Sequence, residues 1–164
     1  MPAPVIYTIG HSNHSIETFL DLLRQYDIEC LVDVRTSPYS RFSPHFRKRE
    51  LEAHLRENGI EYVYLGDALG GRPGESRDFS SSDLVDYAEI ARQPWYEAGL
   101  QSLLRIASEQ RTAFMCSEEN PQHCHRNLLI ADSLLSRSLA DVIHIRGDGE
   151  AEQASQHPKQ TRLL

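Results

Sequence analysis

The chain is short of cysteine, of long apolar runs and of positive charge, and each shortage removes a class of protein. Three cysteines in 164 residues cannot make a disulfide-dense secreted scaffold, and the odd count fits thiols held reduced in a cytoplasmic protein. No apolar run approaches the ~18 residues that a membrane span needs. Met1-Pro2-Ala3-Pro4 has neither the basic nor the apolar stretch of a secretory signal, so none is expected. With 17 Lys+Arg against 24 Asp+Glu and a net charge of −7, a broadly basic surface is excluded. There is no Cys-x-x-Cys pair, internal repeat or interdomain linker.

What is present is an ordinary globular composition, 40% apolar and 25% charged, at the size of one domain. Val5 to Ile9 reads as a strand. Ile16, Phe19, Leu20 and Leu23 recur at helical spacing behind Ser15, a suitable N-cap. Cys30 to Val34 is a second strand, and Cys30 in it is expected to be a core thiol. Lys48 to Asn58 is a helix stopped by Gly59, and Ile60 to Leu65 is a third strand. Residues 66–82, rich in glycine and serine, read as a long loop. Helices follow at Asp83 to Arg92 and around Leu100 to Ala107, then a strand at Ala113 to Cys116. A helix through Leu128 to Leu135, starting near Cys124, leads to a fifth strand at Val142 to Ile145.

Short apolar strands separated by helices predict an α/β fold, a mostly parallel sheet of about five strands flanked by helices on both faces. Residues 1–146 form a single domain in this reading. Residues 147–164, polar and without period, are expected to be a disordered tail.

In such sheets ligands bind at the carboxyl ends of the strands. His11 and Ser12 follow the first strand; Asp33, Arg35, Ser40 and Arg41 follow the second; Arg72 follows the third. Cys116, Glu118, Cys124, His125 and Arg126 follow the fourth, and His144 lies in the fifth. Asp33 and Arg35 share a strand face and could meet one ligand. Arg35 to Arg49 holds five cations and no acid, with Tyr39, Phe42 and Phe46 interleaved. A solvated charge run explains that as well as phosphate neutralisation and base stacking do.

The segment from Cys116 to Arg126 supports three readings. Cys124 at a helix start, beside His125 and Arg126, could be a nucleophilic or redox thiolate. Cys116, Cys124 and His125 with a distant histidine could bind zinc or iron. Or these are buried small residues with His and Arg capping and pairing. A helix start with Arg126 would also hold an anion without covalent chemistry.

Tyr7-Thr8-Ile9-Gly10-His11-Ser12, Leu31-Val32-Asp33-Val34-Arg35, Leu65-Gly66-Asp67-Ala68-Leu69-Gly70-Gly71, Met115-Cys116-Ser117-Glu118, Pro121, Cys124-His125-Arg126 and His144-Ile145 together resemble the family called domain of unknown function 488, from about residue 5 to 146. The resemblance implies a small bacterial or archaeal α/β protein with no settled activity. A looser similarity to rhodanese-like domains rests on Asp33-Val34-Arg35 and a Cys after a central strand, but Cys116 to Arg126 is longer than the tight Cys-to-Arg loop of those enzymes.

The expected function is a site that binds or acts on an anionic ligand: phosphorylated, a nucleotide or a nucleic acid. Ser12, Asp33, Arg35, Ser40, Arg41, Arg72, His125 and Arg126 would contact the ligand. His11 or Glu118 would be acid or base, and Cys116 or Cys124 the nucleophile of a hydrolase or transferase. A metal-binding protein using Cys116, Cys124 and His125, and a non-enzymatic nucleic-acid-binding or adaptor module, are the alternatives. No cofactor follows from these residues, and no membrane partner is expected.

Overall fold

The computed structural model describes residues 3–70 and 87–154, with all their side chains except those of His123, Asn127 and Leu128. Six strands form one sheet in the order β3-β2-β4-β1-β5-β6. They are β1 Val5–Gly10, β2 Cys30–Asp33, β3 Glu61–Tyr64, β4 Thr112–Cys116, β5 Asp141–Ile145 and β6 Ala151–Gln153. The first five run parallel, and β6 pairs antiparallel to β5. The helices are α1 Ile16–Gln25, α2 Lys48–Glu57, α3 Gly66–Leu69, α4 Tyr87–Ala91, α5 Pro94–Glu109 and α6 Asp132–Ser136. A π-helical segment, Arg126–Ala131, leads into α6.

Alternation along the strands divides the core in two. Ile6, Cys30, Val32, Phe114 and Val142 face Leu69, Tyr96, Leu100, Leu103, Leu129 and Leu134. Tyr7, Ile9, Leu31, Ala113, Met115 and Ile145 face Phe19, Leu23, Phe46, Leu51 and Leu55. Each strand therefore buries both faces, which is why it reads as a continuous apolar run. The Ser15 side chain caps α1 by accepting from the Thr18 N–H, and α1 presents Phe19, Leu20, Leu22 and Leu23 to the sheet. Cys30 is the expected core thiol, and burial pushes its pKa up to about 12.

Two local expectations change. The long loop expected from Gly66 begins instead as α3, packed on the end of β2. Gly66 permits that contact, since an added Cβ would sit 1.9 Å from the Arg35 carbonyl oxygen. The tail expected to be disordered from Gly147 turns at Gly149, and its next residues form β6. The Arg146 N–H donates to the Glu150 carbonyl at 2.9 Å, and the Ala154 N–H to the Val142 carbonyl at 2.9 Å. A strand of three residues against one neighbour has no period to show in the sequence. Residues 155–164, and the first four residues of the helix expected over Asp83 to Arg92, lie outside the described residues; the rest of that helix is α4. Among the described residues no helix is long and apolar enough to cross a membrane.

Candidate functional site

The helices α1 and α2, which follow β1 and β2, pack on one face of the sheet. The π-segment and α6, which follow β4, pack on the other. β4 lies between β2 and β1, so its loop diverges from both neighbours at the carboxyl edge, the arrangement that opens a ligand crevice. On the β1 side the gap is closed. The His11 N–H donates to the Cys116 carbonyl at 3.0 Å and the Ser12 N–H to the Ser117 carbonyl at 2.8 Å. Gly10 allows this approach, because a Cβ there would lie 1.7 Å from the Glu118 carbonyl oxygen. On the β2 side the gap is open. A cleft of about 360 Å³ is lined by Arg35, Thr36, Ser37 and Tyr39 after β2, Cys116, Ser117, Glu118, Cys124 and His125 after β4, and Gly70 and Tyr87.

Arg35 is the charged group best placed in it. Asp33 and Arg35 do share a face, with Leu31, but they pair with each other instead of both meeting a ligand. Arg35 donates from Nε to Asp33 Oδ1 at 2.9 Å and from Nη2 to Oδ2 at 2.8 Å. The Arg35 backbone N–H and the Tyr62 hydroxyl donate to the same carboxylate at 3.1 and 2.6 Å. Burial, with the Asp33 charge beside it, pushes the Tyr62 pKa up, so the phenol stays a donor. The fork is thus held rigid, 5% exposed, and its Nη1 has no hydrogen-bond partner among the described residues. The backbone just beyond is held too. Tyr64 Oη donates to the Arg35 and Thr36 carbonyls at 2.8 Å each, and Thr36 Oγ1 donates to the Gly70 carbonyl at 2.9 Å.

Opposite Arg35 lie the two cysteines, and the expectation of reduced thiols is corrected there. Cys116 and Cys124 are joined as a disulfide, leaving Cys30 as the free cysteine. The physical reason is the turn between them: Asn120 accepts from the Gln122 N–H and Pro121 opens a single 3₁₀ turn, which returns the chain over the end of β4. The Arg126 backbone N–H donates to Cys124 Sγ at 3.5 Å. His125 Nε2 lies 2.9 Å from the Val34 carbonyl oxygen, which can only accept, so Nε2 carries the hydrogen. Its Nδ1 then faces Cys124 Sγ, at 3.8 Å, with a lone pair.

Other expected site residues have structural employment. His11 does not line the cleft. It is buried, stacked on Phe46 at 4.5 Å between centroids, and burial lowers its pKa to about 4. Its Nδ1–H donates to the Ser12 carbonyl at 2.8 Å, leaving an uncharged Nε2 that cannot attract an anion by charge. Arg126, expected at the ligand, is fully buried behind the cleft. It donates from Nη1 to Thr8 Oγ1 and from Nη2 to the Glu118 and Glu119 carbonyls at 2.9 and 2.7 Å. It therefore positions the loop after β4. Glu119 secures that loop from outside: hydrogen bonds from Arg146 and the Gly147 N–H hold its carboxyl well below its ordinary value, at about 2.

Glu118 lines the cleft with an exposed side chain. Ser12 sits outside it, with its backbone at φ 49°. Ser40 caps a turn, accepting from the Ser43 N–H at 3.1 Å. Arg41 stands on the exposed ring of Phe42. Arg72 lies outside the described residues. Cys116, Cys124 and His125 do not make a metal site, and among the described residues no group of three or more His, Cys, Asp or Glu could hold an ion. The site residues not foreseen include Tyr62, which fixes Asp33, and Thr36, Ser117 and Tyr87 on the cleft wall. The tyrosines of the third strand, Tyr62 and Tyr64, were the available signal for the first.

A model of the family described as domain of unknown function DUF488 matches residues 15–132, which is more than half of the chain. No curated protein matches the chain, and no solved structure does.

Proposed function

The chain belongs to the family described as domain of unknown function DUF488, and on that footing we propose that it binds and acts on an anionic, phosphorylated ligand in the cleft between the ends of β2 and β4. One observation carries this reading: a buried, rigidly held Arg35 lining a cleft, with one guanidinium nitrogen unpartnered. A buried N–H group without an acceptor costs about 1–3 kcal/mol, more when charged. A ligand oxygen would relieve that cost with a charge-assisted bond. The Asp33 carboxylate fixes the fork and offsets much of its charge. The fork therefore acts by directed hydrogen bonding, and the Ser37 and Ser117 hydroxyls on either wall suit phosphate oxygens.

The enzymatic form of this reading uses Cys124. While it is bonded to Cys116, neither sulfur is a nucleophile. A dithiol reductant that breaks the bridge, becoming a disulfide itself, would leave two thiols. His125 Nδ1 would then take the Cys124 proton, and the Arg126 N–H would support the thiolate. The reaction class is then transfer or hydrolysis at the anionic group. Without the reduced pair, the same cleft is a binding module.

Titration of inorganic phosphate into the wild type and Arg35→Lys, by calorimetry, tests the binding. Lysine keeps the charge but loses the fork, so affinity is expected to fall on the order of tenfold or more. No binding by the wild type, or equal binding by both, defeats the reading. With the dithiol-reduced protein, iodoacetamide at pH 6 is expected to modify Cys124 well ahead of buried Cys30. Equal rates would remove the nucleophile.

A further inference from the structure

We propose that the segment from Tyr39 to Lys48 is a base-stacking surface for single-stranded nucleic acid that continues the Arg35 cleft outward. The inference rests on the cleft reading and names its ligand class.

A single exposed apolar side chain is ordinary, but exposed aromatic rings each flanked by a cation on one short segment are the elements of a stacking surface. Phe42 is 88% exposed and Tyr39 59% exposed, and these are two of four exposed large hydrophobics among the described residues. Each ring carries a cation. The Arg47 guanidinium lies 4.3 Å from the Tyr39 centroid and the Arg41 guanidinium 5.5 Å from that of Phe42. Lys48 stands 4.6 Å from the Tyr64 ring. No acid interrupts the chain between Arg35 and Arg49, in a protein of net charge −7. Aromatic faces flanked by Arg and Lys are what a single strand requires: a surface for each base and a counter-charge for each phosphate.

The surface is built in advance. The Ser43 N–H donates to Ser40 Oγ at 3.1 Å, Arg47 Nε to the Ser40 carbonyl at 3.1 Å, and the Lys48 N–H to the Pro38 carbonyl at 3.0 Å. Pro44 starts the 3₁₀ turn that seats Phe46 in the core. Tyr39 belongs to both regions, since it also lines the cleft. A space of about 360 Å³ is at the low end of small-ligand sites and suits one nucleotide unit. Its phosphate would meet Arg35 and its base Tyr39, and the neighbouring base would stack on Phe42. A duplex cannot use these rings, because its bases are already stacked on one another and offer only their edges in the grooves.

The probe is fluorescein-labelled oligothymidylate or oligouridylate of about 12 nucleotides, a length within known site sizes, read by anisotropy. Binding at low salt is expected to weaken steeply as salt rises. Phe42→Ala should weaken it on the order of tenfold, Phe42→Trp should retain it, and annealing the complement should abolish most of it. Phe42 is on the surface, so these variants keep the fold. No binding at low salt, equal binding by Phe42→Ala, or equal binding of the duplex overturns the proposal. Phosphate binding that depends on Arg35 without any oligonucleotide binding leaves the cleft reading standing and removes this one. Oligonucleotide binding that needs Phe42 but is unchanged in Arg35→Lys overturns the proposed continuation of the cleft, while the phosphate titration decides the cleft reading separately.

Discussion

Asp33→Ala is expected to destabilise the protein by about 3–5 kcal/mol, because it leaves a buried guanidinium without its carboxylate. Asp33 is fully buried and Arg35 is 5% exposed, so water cannot take over the role. The same change strips the Tyr62 hydroxyl and the Arg35 backbone N–H of their acceptor. Urea unfolding reads the loss. The companion variant replaces both partners with leucine (Asp33→Leu with Arg35→Leu). It removes the charges together, and its cost is expected to be well below that of Asp33→Ala alone. A cost under about 1 kcal/mol for Asp33→Ala would mean that the pair behaves as an exposed one, and the rigid fork proposed for the ligand would go with it.

Acid is expected to weaken the fold well above the range in which carboxylates titrate. Burial lowers the pKa of His11 from 6.5 to about 4. Burial, followed by the nearby Arg126 and Arg146 charges, lowers that of His144 to about 3. His144 is neutral for a structural reason. Thr8 Oγ1 accepts from Arg126 and lies 2.6 Å from His144 Nδ1, so the Thr8 hydrogen is directed at a ring lone pair. Both folded values lie below the unfolded one. The unfolded chain therefore takes up protons first as pH falls below 6.5, and stability is present in full above that pH and lost below it. Two such groups lose about 4 kcal/mol together between pH 7 and pH 5. Urea midpoints across that interval, at constant m, measure it. A flat profile would show that both imidazoles reach water in the native protein. Glu119 has the opposite ordinary charge but the same trend, lower down. Its folded pKa of about 2 gives stability that is lost only from about 4.5 downward, so its contribution separates from the histidines.

Local chemistry accounts for the parts of the molecule that could be read from the chain. The helix α1 announces itself through Ser15 and the spacing of Phe19, Leu20 and Leu23, all within one element. Cys30 to Val32 is apolar on both faces because the sheet is covered on both, and such strands signal the parallel α/β class. Placing the reactive residues at the carboxyl edge followed from the same class rule, and the cleft is there. Arg35, Glu118, Cys116, Cys124 and His125 all line it.

The roles of individual residues within that edge depended on partners far along the chain. Arg126 resembles an anion contact until β1 brings in Thr8, 118 residues away in sequence. His144 finds the same Thr8 across 136 residues. Asp33 looks like a ligand contact until Tyr62 on the neighbouring strand and Arg35 just beyond its own occupy both its oxygens. The short β6 exists only because β5 offers it an edge. By itself, the sequence determined the family, the class of fold and the sheet edge at which the cleft lies, since these follow from side-chain type and period. Only the tertiary structure decided that Arg126 is turned to the protein's own carbonyls and that Arg35, with an unpartnered donor, lines the cleft. Satisfaction of a buried polar group is a property of the three-dimensional neighbourhood and not of the residue.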